Sequence, residues 1–316
     1  MDNLKIKMEE ERIITIRNLS KQFKNKGIVA KAVDDISLDI LKGKIYGFVG
    51  HNGSGKTTTI KMILGLIRPS SGEIKVNWEG NVKNYGLGYV PERAVIYDDM
   101  YPLEYLIYIG ELSGLDKSTS RKNAEDYIKI FGLETAKNKK IKTFSSGMKQ
   151  KILISQALLH SPSLMILDEP TTALDPVEQK KLLDILGKLS KENGSTIIMS
   201  SHHLQELEMI ADHVFLFENG KIVLDSDIKD MKKSIKGQIE IKTTNPEKVL
   251  NILRKELNIR DIILSGDKII INDDRLSSSS FKNTIIKKIM DFGEDVLSIS
   301  SSSKSFYDSV MEKLKK

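Results

Sequence analysis

The sequence predicts an α/β fold with a largely parallel sheet over residues 1–225, followed by a smaller α+β module over residues 226–316. Short β-branched or apolar runs alternate with helical stretches in the first part, which is typical of such a sheet. A glycine-rich segment separates one of these runs from a helix, and the pattern of elements changes near residue 236. Hydrophobic residues are 40% and charged residues 29% of the 316 residues. This mixture excludes collagen-like, disordered and coiled-coil chains.

The first part is predicted to contain six strands and six helices. The strands are continuous apolar or β-branched runs, and the helices carry apolar residues at helical spacing. The predicted strands are 12–18, 44–49, 86–90, 163–167, 195–200 and 213–218. The predicted helices are 55–66, 102–113, 120–131, 147–160, 176–191 and 203–211. The strand at 163–167 is almost wholly apolar, as expected for a parallel strand buried on both faces.

The second part is predicted to follow the order β-α-β-β-α-β, which is that of a ferredoxin-like module. Its predicted elements are a strand from Gln238, a helix over Pro246–Leu257, strands near 260–264 and 267–272, a helix over 281–291 and a strand over 294–299. A last helix is predicted from about Phe306.

Composition excludes several chemistries. The chain has no cysteine, so disulfides, thiolate metal sites and cysteine nucleophiles are absent. Apolar runs such as Leu164–Leu167 are far shorter than the ~18 residues of a spanning helix. The N-terminus carries acidic residues and no apolar stretch, so we expect a cytoplasmic chain without a secretory signal. The net charge of +6 is only weak support for a nucleic-acid partner, because the lysines are dispersed along the chain.

A phosphate-binding loop is predicted directly after the strand at 44–49. Its sequence GHNGSGKT fits G-x-x-x-x-G-K-[ST] between a strand and a helix, the context that the motif requires. Glycines allow backbone N–H groups to converge on phosphate oxygens, and the helix N-terminus adds its positive dipole end. Lys56 is expected to contact the β and γ phosphates and Thr57 to bind Mg²⁺. The loop residues predicted to bind a nucleoside triphosphate are Gly50, His51, Asn52, Gly53, Ser54, Gly55, Lys56, Thr57 and Thr58. The loop alone does not distinguish kinases, GTPases, helicases and transport ATPases, which share it. His51 lies at a variable position and is interpreted as filling the loop.

Two adjacent carboxylates end the apolar strand before Pro170. Because the carboxyl ends of parallel strands face the ligand crevice, Asp168 is placed to hold Mg²⁺ through water. Glu169 is placed to orient and deprotonate an attacking water, since phosphoryl transfer depends mainly on positioning and charge neutralisation.

The segment Phe144-Ser145-Ser146-Gly147-Met148 resembles the signature motif L-S-G-G-Q of the ATP-binding subunits of ABC transporters. Ser145 and Gly147 match that motif, whereas Phe144, Ser146 and Met148 depart from it. The resemblance implies a P-loop core with antiparallel β and helical subdomains. It also implies a head-to-tail homodimer or heterodimer, in which residues Ser145, Ser146, Gly147 and Met148 contact the ATP held by the opposite subunit.

The remaining motifs of this family appear in the same order. The resemblance implies a dimer-contacting D-loop of Ala173, Leu174 and Asp175, and a switch histidine at His202 rather than His203. It implies that Phe23 stacks on adenine. Glu92 stands where the family usually has glutamine and is expected to face Mg²⁺ and the water. Its charge should make the site more dependent on Mg²⁺.

The resemblance further implies an Mg-dependent ATPase, peripheral on the inner face of the membrane, that energises a separate transmembrane permease subunit. It favours a single-cassette exporter of a drug, peptide, lipid or ion. The family's docking region after Glu92 contains Tyr97, Tyr101, Tyr105 and Tyr108, which fit either an interface or core packing. The alternative is a soluble ABC-type ATPase acting on ribosomes or DNA. A single P-loop and the short interval from Thr57 to Phe144 argue against it, so no nucleic-acid partner is expected.

Overall fold

A computed structural model describes residues 11–25, 28–77, 86–93, 95–234, 237–277 and 279–300. The chain divides into two compact units between Ser226 and Asp227. The helix predicted from about Phe306 lies outside the described residues.

The first unit contains two sheets. Its strands are β1 (Arg12–Asn25), β2 (Ile28–Leu41), β3 (Ile45–Val49), β4 (Ser71–Val76), β5 (Leu87–Val90), β6 (Leu164–Asp168), β7 (Thr196–Ser201), β8 (His213–Glu218) and β9 (Lys221–Asp227). The larger sheet has the strand order β5-β6-β7-β3-β8-β9. Strands β5, β6, β7, β3 and β8 pair in parallel. The α/β core with a largely parallel sheet is therefore confirmed.

The centre of the parallel sheet is buried on both faces. Every residue of β3, β6 and β7 is buried, which agrees with their apolar sequences. Because these neighbours are parallel, their carboxyl ends lie at one edge of the sheet. The glycine-rich loop, Asp168 and Ser201 follow or end these strands and therefore share that edge.

The smaller sheet was only partly predicted. It has the order β2-β1-β4, and both pairings of β1 are antiparallel. Strands β2 and β4 are absent from the predicted elements, as is β9, and β1 runs beyond the predicted limit at residue 18. Register shifts interrupt both pairings of β1. Such bulges break the alternation of apolar and polar residues on which strand prediction depends.

All six helices predicted in this unit are present. They are α1 (Lys56–Ile63), α2 (Pro102–Leu112), α3 (Lys117–Ile130), α4 (Ser146–Leu158), α5 (Pro176–Asn193) and α6 (Leu204–Ile210). Helix α3 begins three residues before the predicted start because Asp116 caps it, accepting the N–H groups of Ser118 and Thr119. Hydrogen bonds from Ser118 and Thr119 hold the pKa of Asp116 well below its usual range. Among the described helices, none is both long and apolar enough to cross a bilayer.

The second unit contains one sheet. Its elements are α7 (Ile228–Ser234), β10 (Gly237–Thr243), α8 (Pro246–Leu257), β11 (Ile262–Ser265), β12 (Lys268–Asp273), α9 (Ser279–Asp291) and β13 (Val296–Ser300). The strand order is β11-β12-β10-β13, with antiparallel neighbours throughout. Its core joins Ile239, Ile241 and Ile271 of the sheet to Val249 and Leu253 of α8. Helix α7 was not among the predicted elements.

Candidate functional site

The glycine-rich loop connects β3 to α1 in a backbone conformation that requires glycine. Gly53 and Gly55 have φ values of 83° and 112°, which residues with a Cβ rarely adopt. A Cβ on Gly50 would lie 2.3 Å from the carbonyl oxygen of Phe217 and 2.5 Å from Oγ of Ser54. No side chain caps the N-terminus of α1, so its first N–H groups and its dipole are available to an anion.

The side chain of Lys56 is buried inside this loop. Its Nζ donates hydrogen bonds to the carbonyl oxygens of Gly50 at 2.6 Å and His51 at 3.3 Å. It also lies 3.6 Å from Oε1 of Glu169. The loop therefore places an ammonium group beside the carboxylate that follows β6. His51 itself is exposed, and its Nδ1 lies 2.8 Å from the carbonyl oxygen of Asn52.

Asp168 lies at the end of β6 and contacts hydroxyls from two other elements. Its Oδ1 accepts hydrogen bonds from Oγ1 of Thr57 at 3.2 Å and Oγ of Ser200 at 2.6 Å. Burial raises the pKa of Asp168, and the charges of Glu92 and Glu169 add to this effect. Its Oδ2 is buried and has no hydrogen-bond partner among the described residues. The loop and the end of β6 are thus joined through Thr57 and Asp168.

The donor set at Asp168 fits a magnesium ion in its chemistry. An unpartnered carboxylate oxygen beside a threonine hydroxyl offers the hard oxygen ligands that Mg²⁺ prefers. No group of three or more His, Cys, Asp or Glu side chains forms a metal site within the described residues. One carboxylate and one hydroxyl suit Mg²⁺ bound together with substrate phosphates, rather than a cation held by protein alone.

Glu169 follows β6 with a φ of 51°, a left-handed conformation that is strained for a residue other than glycine. Its backbone N–H donates to Oγ of Ser200 at 2.8 Å. Its buried side chain places Oε2 at 2.8 Å from Nδ1 of His202 and 3.4 Å from Oγ1 of Thr172. The structure thus brings together the acid and the histidine that the sequence predicted at two different strand ends. The ring of His203 lies beside that of His202, with centroids 3.9 Å apart.

Glu92 lies two residues beyond β5 and is exposed. It is near enough to contribute to the raised pKa of Asp168. Burial raises the pKa of Tyr89 to about 12, with further contributions from the charges of Asp168 and Glu92. A negative potential therefore surrounds Asp168, and a cation would relieve it.

Phe23 lies on β1 and is 44% exposed. Nζ of Lys21 lies 5.2 Å from the centroid of its ring. The exposure excludes the alternative of an ordinary core phenylalanine and leaves a ring face for stacking.

The predicted signature forms the start of α4. Ser145 caps this helix, and its Oγ accepts the N–H of Met148 at 3.3 Å. Phe144 is buried, so this departure from the motif preserves an apolar position. A Cβ on Gly147 would lie 3.2 Å from the carbonyl oxygen of Ala173, so the signature packs against its own D-loop. Within the part of the chain that the structure describes, no hydrogen bond or ion pair joins the signature to the loop 50–57.

The predicted D-loop leads into α5. Asp175 caps this helix by accepting the N–H groups of Val177 and Glu178, both at 3.0 Å. Nε2 of Gln179 donates to the carbonyl oxygens of Thr171 and Leu174, both at 3.2 Å. The first turn of α5 therefore fixes the loop that follows Glu169.

Three polar residues at this site were missed by sequence reasoning. Ser200 joins Asp168 to the backbone of Glu169, while Ser201 and Glu206 lie behind His202. Ser200 and Ser201 were read only as the end of a strand. One feature of the sequence could have identified Glu206. It lies between Leu204 and Leu207 on the apolar face of a helix, and an acid buried there needs hydrogen-bond partners.

The four tyrosines after Glu92 divide between core and surface. Tyr105 is 2% exposed, and its hydroxyl donates to Oε1 of Gln156. Tyr97, at 60%, is the most exposed, and Tyr101 and Tyr108 are also exposed. Tyr97 and Tyr108 line an open cavity of about 530 Å³ together with Asp98 and Asp99. Tyr105 therefore fits the core interpretation, and the interface interpretation stays a prediction for the three exposed side chains.

Comparison with known proteins agrees with this geometry. A family model described as ABC transporter matches residues 33–172. The chain is 35% identical over 302 residues to the bacitracin transport ATP-binding protein BcrA of Bacillus licheniformis, covering 94% of this chain and 95% of that protein. It is 35% identical over 233 residues to the ABC transporter ATP-binding protein NatA of Bacillus subtilis, covering 72% of this chain and 94% of that protein.

Two solved structures share the fold of this chain over about two thirds of its length. One is the dimeric post-hydrolysis state of the ATP-binding cassette MJ0796 bound to ADP and Pi, with a TM-score of 0.62 at 24% identity over 68% of this chain and 98% of that chain. The other is an ATP-binding subunit of an ABC transporter, with a TM-score of 0.62 at 28% identity, covering 70% of this chain and 92% of that chain. The chain therefore belongs to the ATP-binding proteins of ABC transporters.

Proposed function

We propose that this chain hydrolyses ATP to drive export through a separate membrane subunit. The observation that carries the proposal is the contact between Glu169 and His202 beside the buried Lys56. ATPase activity is the activity of the family to which the chain belongs, and the proposal assigns it to particular side chains and to a direction of transport.

The glycine-rich loop binds the phosphates of ATP through its N–H groups, and Lys56 supplies the positive charge. The exposed ring of Phe23 stacks on adenine. Mg²⁺, when bound, neutralises charge on the β and γ phosphates. Thr57 and Asp168 would hold it, with Glu92 nearby.

Glu169 orients and deprotonates the water that attacks the γ-phosphate. Nδ1 of His202 holds one oxygen of this carboxylate at 2.8 Å, and the hydrogen bond that the backbone N–H of Glu169 donates to Oγ of Ser200 fixes its backbone. The other oxygen, Oε1, is buried 3.6 Å from Nζ of Lys56 and accepts no hydrogen bond within the described residues. We propose that this oxygen accepts the proton of the attacking water.

Two copies of the cassette are proposed to enclose two ATP molecules head to tail. Ser145 and Gly147 contact the ATP of the opposite copy, and the D-loop contacts the opposite subunit. The dimeric state of MJ0796 named in its structure supports this arrangement. Differential affinity of ATP for the closed dimer supplies the work of transport.

The permease subunit is proposed to dock at the surface formed by Tyr97, Tyr101 and Tyr108. Tyrosine is enriched at protein interfaces because its ring is apolar and its hydroxyl is polar. The open cavity beside Tyr97 and Tyr108 offers a recess for a side chain of the partner. Docking there places the chain on the inner face of the membrane.

The cargo is proposed to be a drug, peptide, lipid or ion. The name of the bacitracin transport protein BcrA, to which almost the whole chain is similar, supports this class.

The second unit is proposed to be an accessory or regulatory domain of the cassette. The alternative of a soluble ATPase acting on ribosomes or DNA is not favoured, because the relatives are transport proteins.

The substitution Glu169→Gln tests the proposed chemistry. The amide retains the shape of the side chain but cannot accept a proton from water. We expect ATP-dependent dimers by size-exclusion chromatography and turnover near zero. Glu111→Gln, at an exposed position on α2, is the matched control. Hydrolysis by Glu169→Gln at the rate of the parent chain would remove Glu169 as the base.

A further inference from the structure

A third buried carboxylate, Glu206, lies next to the site and has no part in the chemistry proposed above. It belongs to α6 and is 8% exposed. Its Oε2 accepts hydrogen bonds from Oγ1 of Thr171 at 2.7 Å and from Oγ of Ser201 at 2.8 Å. A single oxygen atom therefore binds two hydroxyls that come from different strand ends.

Both hydroxyls are adjacent to the residues of the Glu169–His202 contact. Thr171 lies two residues after Glu169, and Ser201 directly precedes His202. Oγ of Ser201 also accepts the N–H of His203 at 2.9 Å. Glu206 thus connects the loop after β6 to the end of β7.

These hydroxyls lie in a buried environment. Thr171 and Ser201 are both buried, so water does not replace a lost acceptor without rearrangement. The carbonyl of Thr171 is held separately by Gln179 of α5. Thr171 is consequently fixed at its hydroxyl by α6 and at its backbone by α5, two residues before the D-loop.

We propose that Glu206 is a positioning residue for ATP hydrolysis, which holds the loop of Glu169 and the loop of His202 at the spacing of their contact. This inference rests on the proposed function, because it matters only if Glu169 and His202 carry out the reaction. It assigns no contact with ATP to Glu206. Its loss therefore affects the rate of the chemical step more than the binding of nucleotide.

Three substitutions on α6 test this role. Glu206→Leu keeps the approximate size of the side chain and removes the acceptor, and it is expected to lower kcat by about 10- to 100-fold, because small misplacements of reacting groups have effects of this size. The KM for ATP is expected to change less than threefold. Glu206→Gln retains an acceptor oxygen and is expected to recover most of the loss. Gln205→Leu, at an exposed neighbouring position, is the matched control for folding and helix content.

The hydroxyl of Thr171 provides an independent test through Thr171→Val. Ser201 is not used, because its Oγ also bonds to the backbone of His203. If Thr171 acts through Glu206, adding Thr171→Val to Glu206→Leu causes no further loss of kcat, because the shared interaction is already gone. Losses that multiply in this double variant would overturn the proposal. Thr171→Val alone is expected to lower kcat, which keeps the test decisive where Glu206→Leu fails to fold.

The double variant Glu206→Leu/Glu169→Gln distinguishes a positioning role of Glu206 from a role in folding alone. A positioning role leaves ATP-dependent dimerisation of the double variant at the same ATP concentration as that of Glu169→Gln alone. Loss of dimerisation together with a lower melting temperature would show that Glu206 only supports folding, and would overturn the inference. Failure of the proposed function gives a different result: Glu169→Gln would then hydrolyse ATP, whatever the behaviour of the Glu206 variants.

Discussion

Nδ1 of His202 lies 2.8 Å from Oε2 of Glu169, although 33 positions separate the two residues in the sequence. The contact joins the ends of β6 and β7, which are parallel neighbours in the sheet. The acid, the histidine and Lys56 therefore meet at one edge of the sheet, and the following predictions depend on that arrangement.

Substitution of His202 should lower turnover while nucleotide binding is retained. His202→Ala removes the closer of the two side chains that hydrogen-bond to the Glu169 carboxylate within the described residues. We expect kcat to fall by about 10²- to 10⁴-fold, the range of positioned acid–base groups. Steady-state hydrolysis and binding of a fluorescent ATP analogue measure the two effects. His203→Ala is the matched control, and an equal loss in both variants would contradict the assignment of His202.

Substitution of Glu92 should change the dependence on Mg²⁺. Glu92→Gln removes a negative charge near Asp168 and restores the residue that is usual in the family. Because the charge opposes an anionic ligand, ATP binding without Mg²⁺ should tighten by about three- to tenfold, as expected for one partly screened charge. Binding of ATP in Mg²⁺ and in EDTA measures the ratio. An unchanged ratio, equal to that of Glu111→Gln, would show that the charge of Glu92 has no such effect.

Substitution of Gly50 should abolish nucleotide binding for steric reasons. A Cβ there would approach the carbonyl oxygen of Phe217 to 2.3 Å, so Gly50→Ala displaces the loop from its position above β8. Gly65→Ala is the control, since no atom lies within 4 Å of its Cβ although its φ is 69°. We expect Gly65→Ala to lose about 1 kcal/mol of stability from backbone strain and to bind ATP. Isothermal titration with ATP distinguishes the two, and ATP binding by folded Gly50→Ala would contradict the prediction.

Substitution of Tyr97 should weaken the membrane partner but not the ATPase. Tyr97→Ser removes the most exposed ring of the four tyrosines and leaves the nucleotide site intact. We expect less co-purification with a co-expressed membrane subunit, at unchanged basal turnover. Tyr105→Phe is the control: it removes only the hydroxyl that bonds to Gln156 from a buried ring. Equal co-purification of parent and Tyr97→Ser would argue against docking at this surface.

The stability of the first unit should depend on pH through Asp39. Hydrogen bonds from Arg17 lower the pKa of this carboxyl below its usual value, so its ionised form is favoured in the folded state. Its contribution is present above the pKa of the unfolded state, ~4, and is lost as pH falls through the lower folded pKa. Asp39→Asn should therefore cost about 1 kcal/mol at pH 7 and less at pH 2, a magnitude reduced by solvent exposure. Urea unfolding at both pH values measures this, and an equal cost at the two would contradict it.

The local motifs of the site were predictable because they depend on short-range constraints. Gly53 and Gly55 adopt positive φ values, which glycine allows. The motif predicts a phosphate-binding loop only when a strand precedes it and a helix follows it, and both can be recognised from local sequence. Asp175 and Ser145 each cap a helix through N–H groups two or three residues away. Apolar runs similarly identified β3, β6 and β7, since burial on both faces leaves no polar positions.

The antiparallel sheet was less predictable because its strands are stabilised by distant partners. Residue Ile14 of β1 pairs with Ile40 of β2 and Val76 of β4. Strand β4 is largely exposed and has no continuous apolar face, so its local sequence does not favour a strand. Strand β4 is extended because its backbone hydrogen-bonds to β1. These bonds form only in the folded chain, so the local sequence of β4 does not predict them.

The sequence by itself predicted the phosphate-binding loop and the adjacent carboxylates Asp168 and Glu169, because each depends on residues within one turn or one strand, and the family resemblance added His202. Only the tertiary structure decided that Ser200 bonds to both Asp168 and Glu169, that Glu206 binds Thr171 and Ser201, and that Tyr105 is buried while Tyr97 is exposed. The physical reason is the same in each case. Hydrogen bonds between the ends of neighbouring parallel strands, and the burial of one face of a helix, arise from pairings across many residues that no local pattern records.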